Sequence, residues 1–593
     1  MKIVLSTLNS KFIHSSLSVR YLQSFVKDIE IVNIKEYTIN QNIDFIVSDL
    51  YKMEAELIGF STYIWNITEI LKISETLKLV NPNLKILLGG PEVSYDGKDV
   101  LEKNKFIDFI IYGEGEETFK ELVIALKKGD KEFKHIKGLI YRYGENIIQN
   151  LPRPPMRDLN AIPSPYDNIG NEFANKIVYY ESSRGCPFNC KFCLSSTIKG
   201  LRFFEIERVK NELNKLIEGK VRQVKFVDRT FNANKEFAKE IMNFIIKKNP
   251  KDINFHFEVT AHLIDEDTLQ FLSTVKEGLF QFEIGVQSTN LHTIEAVGRT
   301  TDFQKLSQVT KRIKSFKNIH QHLDLIAGLP FEGYNTFKTS FNDVYEIRPE
   351  KIQLGFLKLL KGTALREEGQ KYNFKYIDIP PYEVLENNYI TYGEIIKLKT
   401  IEDLVEKYYN EGYFESSLEY LISKHYKNPF HFYEMFSEFW EEEGYHSISV
   451  SRTKLYEILL EFYKYSNFED IEVFIEFVKY DFLKNNRNGK LPSAIADSGQ
   501  KISQSDKHRI LKEDSIINNY LSSYQDLTTK RIIQNVAIDS FKLDILKAME
   551  NNFNMDDKSG SVSENRIILF VYEDGVINRC NTYDITKIVR ELI

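Results

Sequence analysis

At 593 residues, with 42% hydrophobic and 13% aromatic content, the chain is long enough for about three to five domains and too apolar to be disordered. A net charge of −7 gives no overall bias towards nucleic acid or anionic membrane, and no run of about 18 apolar residues is present to span a bilayer. Four cysteines leave no disulfide framework, and the opening stretch Met1–Asn9 lacks a signal-peptide pattern, so the expectation is a cytoplasmic protein.

Residues 1–145 read as one α/β domain. Short apolar runs at Lys2–Leu5, Glu30–Ile34, Leu57–Ser61, Leu84–Leu88 and Phe106–Tyr112 alternate with helical patterns such as Leu17–Phe25 and Ile70–Leu79. That alternation predicts a doubly wound parallel sheet of flavodoxin-like type, which binds ligands at the carboxyl ends of its strands. Distinctive residues gather at those ends: Thr7 and Ser10; Ser61, Tyr63 and Trp65; Gly89, Gly90, Pro91 and Glu92; Gly113, Glu114, Gly115 and Glu116. Glycines there let a large planar ligand approach the backbone, although each motif alone also reads as a tight turn. No GxGxxG follows the first strand, which argues against a dinucleotide. His14 reads as a helix-start or surface histidine.

Residues 146–171 form a linker, with five prolines in the fifteen residues Leu151–Pro165, expected to be an extended, semi-rigid connector. Over residues 172–366 the βα alternation returns. Strands are expected at Ile177–Glu181, Gln223–Val227, Phe255–Thr260, Phe280–Val286, His322–Ala327 and Ile352–Leu359, with helices such as Glu207–Glu218 and Lys235–Lys247. Six such units make a partial (β/α)6 barrel with its chemistry at the carboxyl-terminal rim. Rim candidates are Asp228, Glu258, Glu283, Gln287 and Arg299; for Asp228 and Glu258 a helix cap or a rim salt bridge is the plain structural alternative.

Directly after the first of these strands stands Ser183-Arg-Gly-Cys186-Pro-Phe-Asn-Cys190-Lys-Phe-Cys193, a CxxxCxxC spacing. A closed zinc site needs a fourth ligand, none stands at zinc-finger spacing, and a disulfide would leave one thiol over. Three clustered thiolates suit a 4Fe-4S cluster, which normally takes four cysteines, so one iron would stay open to a chelating small molecule.

With Phe192 in the aromatic place, this motif resembles the radical SAM superfamily. Gly89-Gly-Pro and Gly113-Glu-Gly-Glu-Glu117 ahead of it resemble the cobalamin-binding radical SAM enzymes, in a subgroup with a C-terminal extension of unknown function. The resemblance implies that Cys186, Cys190 and Cys193 hold a 4Fe-4S cluster, that its open iron chelates S-adenosylmethionine, and that the loops of residues 1–145 hold cobalamin. It places the methionine amine against the backbone at Asp228, the ribose at Gln287, and the methionine carboxylate on Arg299, whose fork matches a carboxylate bidentately. The adenine would rest on Gly328–Glu332. The DxHxxG signature is absent, which implies a water-ligated or empty lower cobalt face. The implied reaction is reductive cleavage of S-adenosylmethionine to a 5′-deoxyadenosyl radical, with methyl transfer to an unactivated carbon or a phosphinate. Non-methylating rearrangement or cyclisation, and a corrinoid or redox sensor without turnover, are the alternatives. Expected partners are a small-molecule or peptide substrate and an electron donor such as flavodoxin or ferredoxin, with neither nucleic acid nor membrane.

Residues 367–593 carry amphipathic patterns with core-like spacing, Tyr433–Glu443 and Arg452–Tyr465 among them, which predict a mainly helical extension. A late strand at Ile567–Tyr572 turning at Gly575, a basic loop at Asn485–Ser493 and a structural Cys580 complete it. No cysteine precedes Cys186, which disfavours methylthiotransferases, and only Cys580 follows Cys193, which disfavours auxiliary-cluster enzymes; a single cluster is expected.

Overall fold

The computed structural model describes the chain apart from residues 168, 171–172, 174–175, 488, 497–501, 526, 554–564, 574–578 and 593. It separates into two units, Met1–Phe337 with Gly355–Tyr392, and Lys338–Leu354 with Gly393–Ile593.

In the first unit the amino-terminal sheet runs in the order Val32–Thr38, Ile3–Asn9, Leu57–Ser61, Lys85–Gly89, Phe109–Ile111, Leu139–Tyr143, Asn146–Gln149. The first five strands are parallel, as the alternation predicted. The last two form an antiparallel hairpin at the edge, which the sequence reading did not include. Its turn is the two residues between Tyr143 and Asn146, with Gly144 at φ +59°, the conformation such tight turns demand. Val19, Val26, Phe119 and Leu122 cover one face of this sheet, and Ile46, Leu50, Ile70, Ile73 and Leu77 cover the other. Burying a side chain of this size contributes roughly 1.5–3 kcal/mol, so the two apolar layers hold the sheet. The first strand extends to Asn9 rather than ending at Leu5. Its buried hydroxyls are satisfied within the sheet: Ser6 Oγ donates to Lys35 O (2.9 Å) and Thr7 Oγ1 to Ser61 O (3.4 Å).

The second sheet of this unit carries the barrel strands in the order Ile177–Tyr180, Gln223–Phe226, Asn254–Glu258, Phe280–Gln287, His320–Ala327, with Lys351–Phe356 outermost in the sheet order. Pairing among the first five is parallel throughout. Val178, Tyr180, Val224, Phe226, Phe255, Phe257, Phe280 and Phe282 are buried. The alternate positions, among them Tyr179, Lys225, Glu283 and Asp324, face the barrel interior. The proline-rich connector is packed rather than free-standing: Leu159 and Ile162 are buried, and the Tyr166 hydroxyl donates to Tyr179 O on the first barrel strand.

The second unit is mainly helical, with Glu415–His425, Pro429–Glu442, Arg452–Tyr465 and Ile471–Asn485 burying a dense set of aromatic rings. Asp481 caps the first of these from a distance, accepting from Ser416 N (3.1 Å) and Ser417 N (2.7 Å). The expected late strand is the middle of a three-stranded antiparallel sheet, Val536–Phe541, Arg566–Glu573 and Arg579–Asp584. Gly575, and Asn488 of the expected basic loop, lie outside the described residues. Among the described residues no helix is long and apolar enough to cross a membrane.

Candidate cluster and cofactor site

The cysteine loop is held at both ends. Ser183–Arg184 pairs antiparallel with Arg202–Phe203, which closes residues 185–201 into a lobe. Gly185 makes the closure possible: its φ is +100°, and a Cβ there would stand 1.9 Å from Gly200 O. Asp228, at the end of the neighbouring strand, is buried and accepts from Ser182 N (3.0 Å), Ser182 Oγ (2.6 Å) and Ser183 Oγ (2.6 Å). Burial raises its pKa while these three donors oppose the rise. Its carboxylate thus tethers the cysteine loop, the kind of structural role foreseen as the alternative to a cofactor contact. Phe192 packs onto Val297, Leu329, Leu357, Leu359 and Leu365, so the aromatic of the motif anchors the loop in apolar core.

Cys190 is buried, with its Sγ 3.7 Å from Arg299 Nη1; Cys186 Sγ lies 3.6 Å from Thr230 Oγ1, and Cys193 Sγ accepts from Ser195 N at 3.4 Å. Burial raises the Cys190 thiol pKa, Arg299 works against it, and the other two thiols are near enough to add to the rise. Among the described residues no three His, Cys, Asp or Glu side chains converge on a point that a single ion could occupy. Three thiols within eight residues of chain suit a cubane, which takes each thiolate on a different iron. The thiol set therefore fits a 4Fe-4S cluster.

Around the rim the structure distributes the expected residues unevenly. Arg299 is engaged within the protein, donating from Nη2 to Gly285 O (2.6 Å) and from Nε to Thr301 Oγ1 (2.9 Å). Gln287 has φ +70°, and its Oε1 is buried without a hydrogen-bond partner. Glu283 lies deeper, bound to Lys225 Nζ (3.0 Å) and His256 Nε2 (2.9 Å). Burial opposes ionisation of Glu283, but His256 and Lys225 outweigh it and hold the carboxyl down at about 2. Glu258 ends its strand level with Glu283, and burial raises its pKa.

At the carboxyl ends of the first sheet, Thr7 is buried and Ser10 half-buried. Ser61 Oγ meets Ser18 Oγ (2.9 Å), and Tyr63 stacks on Trp65 with ring centroids 4.5 Å apart. Gly90 has φ +118°, and a Cβ there would meet Thr62 O at 2.4 Å, so the chain passes through Gly89-Gly90-Pro91 only without a side chain at Gly90. Gly113 sits at φ +80° with open space around it, and Gly115 follows one residue on.

The three glutamates of these loops turn to the barrel. Glu116 Oε1 binds Arg184 Nη2 (2.6 Å), and Arg184 Nε also binds Glu181 Oε2 (3.0 Å). Glu114 Oε1 binds Arg202 Nη2 (2.5 Å). Glu92 is buried and accepts from the Tyr382 hydroxyl (2.6 Å). Alongside it, Tyr95 OH meets Thr197 Oγ1 (2.8 Å) and Lys361 binds Asp96 (2.7 Å). Glu114 and Glu116 thus fasten the carboxyl edge of the first sheet to the two arginines that flank the cysteine loop, and Glu92 fastens it to Tyr382, rather than presenting their carboxylates to a ligand. His14 takes part too: its Nδ1 lies 2.9 Å from Tyr179 OH, and Ile13 O accepts from Ile177 N, so it is a contact residue and not a free surface histidine. Sequence reasoning missed Tyr95, Arg184, Arg202, Lys361 and Tyr382; the one available signal was that two arginines bracket the cysteine motif.

Three family models match in succession: the B12 binding domain over residues 3–123, the radical SAM superfamily over 180–344, and a protein family of unknown function, DUF4080, over 370–562. An uncharacterized methyltransferase of Pyrococcus horikoshii is 28% identical over 64% of this chain and 85% of its own length. The cobalamin-dependent radical SAM methyltransferase TokK of Streptomyces tokunonensis is 26% identical over 56% of this chain and 52% of its own. Among solved structures, the cobalamin-dependent S-adenosylmethionine radical enzyme OxsB, with aqua-cobalamin and S-adenosylmethionine bound, shares the fold. Its TM-score is 0.58 at 15% identity, over 83% of this chain and 82% of that one. With its cysteine loop and glycine-lined sheet edge held against each other, the chain joins a B12 binding domain to a radical SAM domain and a C-terminal DUF4080 region, and it is similar to the cobalamin-dependent radical SAM enzymes.

Proposed function

We propose that this enzyme methylates an unactivated carbon of a small-molecule or peptide substrate. The observation that carries the reading is the set of contacts Glu116–Arg184, Glu114–Arg202, Glu92–Tyr382 and Tyr95–Thr197, which holds the glycine-lined edge of the first sheet against the cysteine loop. Cys186, Cys190 and Cys193 would hold the cluster, and the loops at Ser61–Trp65, Gly89–Glu92 and Gly113–Glu116 would hold the corrin. When bound, the cluster, S-adenosylmethionine and cobalamin supply the electron, the radical and the methyl group. The chain's own residues position them. Asp228 fixes the entry to the cysteine loop, Phe192 seats its far side in apolar core, and Arg299 keeps a positive charge beside Cys190. A flavodoxin- or ferredoxin-type donor in the cytoplasm would suit this chemistry.

Product analysis tests the reading. With methyl-labelled S-adenosylmethionine and a deuterated substrate, label is expected in the product and deuterium in 5′-deoxyadenosine. Deuterium transfer without label in the product would replace methylation by rearrangement or cyclisation. Iron-loaded, reduced protein that forms no 5′-deoxyadenosine would leave only a sensor role.

A further inference from the structure

The interior of a parallel-stranded barrel is ordinarily filled by Val, Ile and Leu. Here the inward positions carry Lys225, His256, Glu258, Glu283 and Asp324 on four neighbouring strands. Lys225 and His256 are both bound to Glu283, and among the described residues no ion pair reaches Glu258 or Asp324, although Arg229 and Lys225 act on Glu258 from farther off. Asp324 Oδ1 is buried and has no hydrogen-bond partner, and among the described residues no hydrogen bond or ion pair reaches Glu258. The strand register places Glu258 level with Glu283 and Asp324 level with Gly285, below the rim position of Gln287. A buried carboxylate with no donor costs folding free energy, and a chain keeps one where a ligand completes it.

We propose that Asp324 and Glu258 form the floor of a ligand pocket inside the barrel that takes a cationic nitrogen group, an ammonium or a guanidinium. Glu258 and Asp324 supply carboxylate acceptors, so a ligand with N–H donors and a positive charge is their complement. Burial raises the Asp324 carboxyl well above its ordinary range, and Glu283 and Glu258 add to the rise while Lys225 and Arg299 oppose it; an arriving cation reverses that balance. Two sources carry this chemistry, an amine- or guanidine-bearing substrate and the ammonium of S-adenosylmethionine. Assigning the cation to a substrate rests on the radical SAM reading above.

The test is calorimetric titration of the iron-reconstituted full chain with n-butylguanidinium and with its neutral isostere n-butylurea, with and without saturating S-adenosylmethionine. The cation is expected to bind at least tenfold more tightly than the urea, with the preference lost in Asp324→Asn and reduced in Glu258→Gln, each confirmed folded by circular dichroism. A preference that persists under saturating S-adenosylmethionine identifies a substrate cation; one seen only in its absence identifies the cofactor's ammonium. Equal binding of the two probes, no binding of the cation, or a preference intact in both variants overturns the proposal. The radical SAM reading fails separately, if wild-type protein reduced with dithionite forms no 5′-deoxyadenosine.

Discussion

Arg184→Ala removes the cation shared by Glu116 at 2.6 Å and Glu181 at 3.0 Å, in a network where the three side chains are 12%, 7% and 15% exposed. Removing one partner of a buried pair costs about 3–5 kcal/mol, because the carboxylates left behind stay desolvated. Burial already pushes Glu181 up to about 7 from an ordinary 4.5, with Arg184 as its main counterweight. Without the guanidinium that carboxyl must rise further. A folded pKa above the unfolded one gives stability that is present at low pH and lost as pH rises through the folded value. The deficit of the variant should therefore be larger at about pH 8 than at about pH 5.5, the growth falling above the wild-type value of about 7, and reach about 3–5 kcal/mol at the upper end. Urea unfolding at the two pH values measures it. Adding Glu116→Gln to Arg184→Ala should return part of the loss, since the orphaned charge is then gone. A deficit below about 1 kcal/mol at both pH values, the scale of an exposed pair, or one that shrinks with rising pH, would refute the reasoning.

Gly185→Ala should prevent closure of the cysteine loop, because the new Cβ meets Gly200 O at 1.9 Å; iron content after anaerobic reconstitution should fall to that of Cys186→Ala, and wild-type loading would refute the assignment. Asp228→Ala leaves three donors unsatisfied, at about 1–3 kcal/mol for each that stays buried, so melting temperature and iron retention should drop together. Full iron retention with only a raised KM for S-adenosylmethionine would instead make Asp228 a direct contact. Gly90→Ala should abolish cobalamin retention during gel filtration while iron still loads, since the clash is with Thr62 O in the other loop. Burial pushes the Cys580 thiol up to about 12, so it should resist alkylation near pH 8.5, and Cys580→Ser should leave iron content unchanged; rapid labelling of native protein would contradict the burial.

Cys186, Cys190 and Cys193 announce a cluster from spacing alone, because eight residues of chain cannot separate three thiols. The βα alternation and the Phe-Gln-Phe-Glu pattern of Phe280–Glu283 are legible for a similar reason: strand periodicity is local, and it names which side chains face the helices and which face the hollow. The tight Gly144 hairpin passed unnoticed because two short, half-polar strands carry too little periodicity to stand out.

Glu92, Glu114 and Glu116 show the limit of such reading. Their places at strand ends belong to the sequence, and from there they look like ligand-loop residues. Their partners come from 290, 88 and 68 residues away, at Tyr382, Arg202 and Arg184. Sequence by itself determined the cysteine motif, the two α/β folds and the order of the domains, since each depends on contacts within a few residues or on one repeating period. Only the tertiary structure decided which charges would be neutralised, which would join one domain to the other, and that Asp324 and Glu258 would remain unpaired. An ion pair depends on distance in space, and chain spacing carries no record of what folding brings alongside.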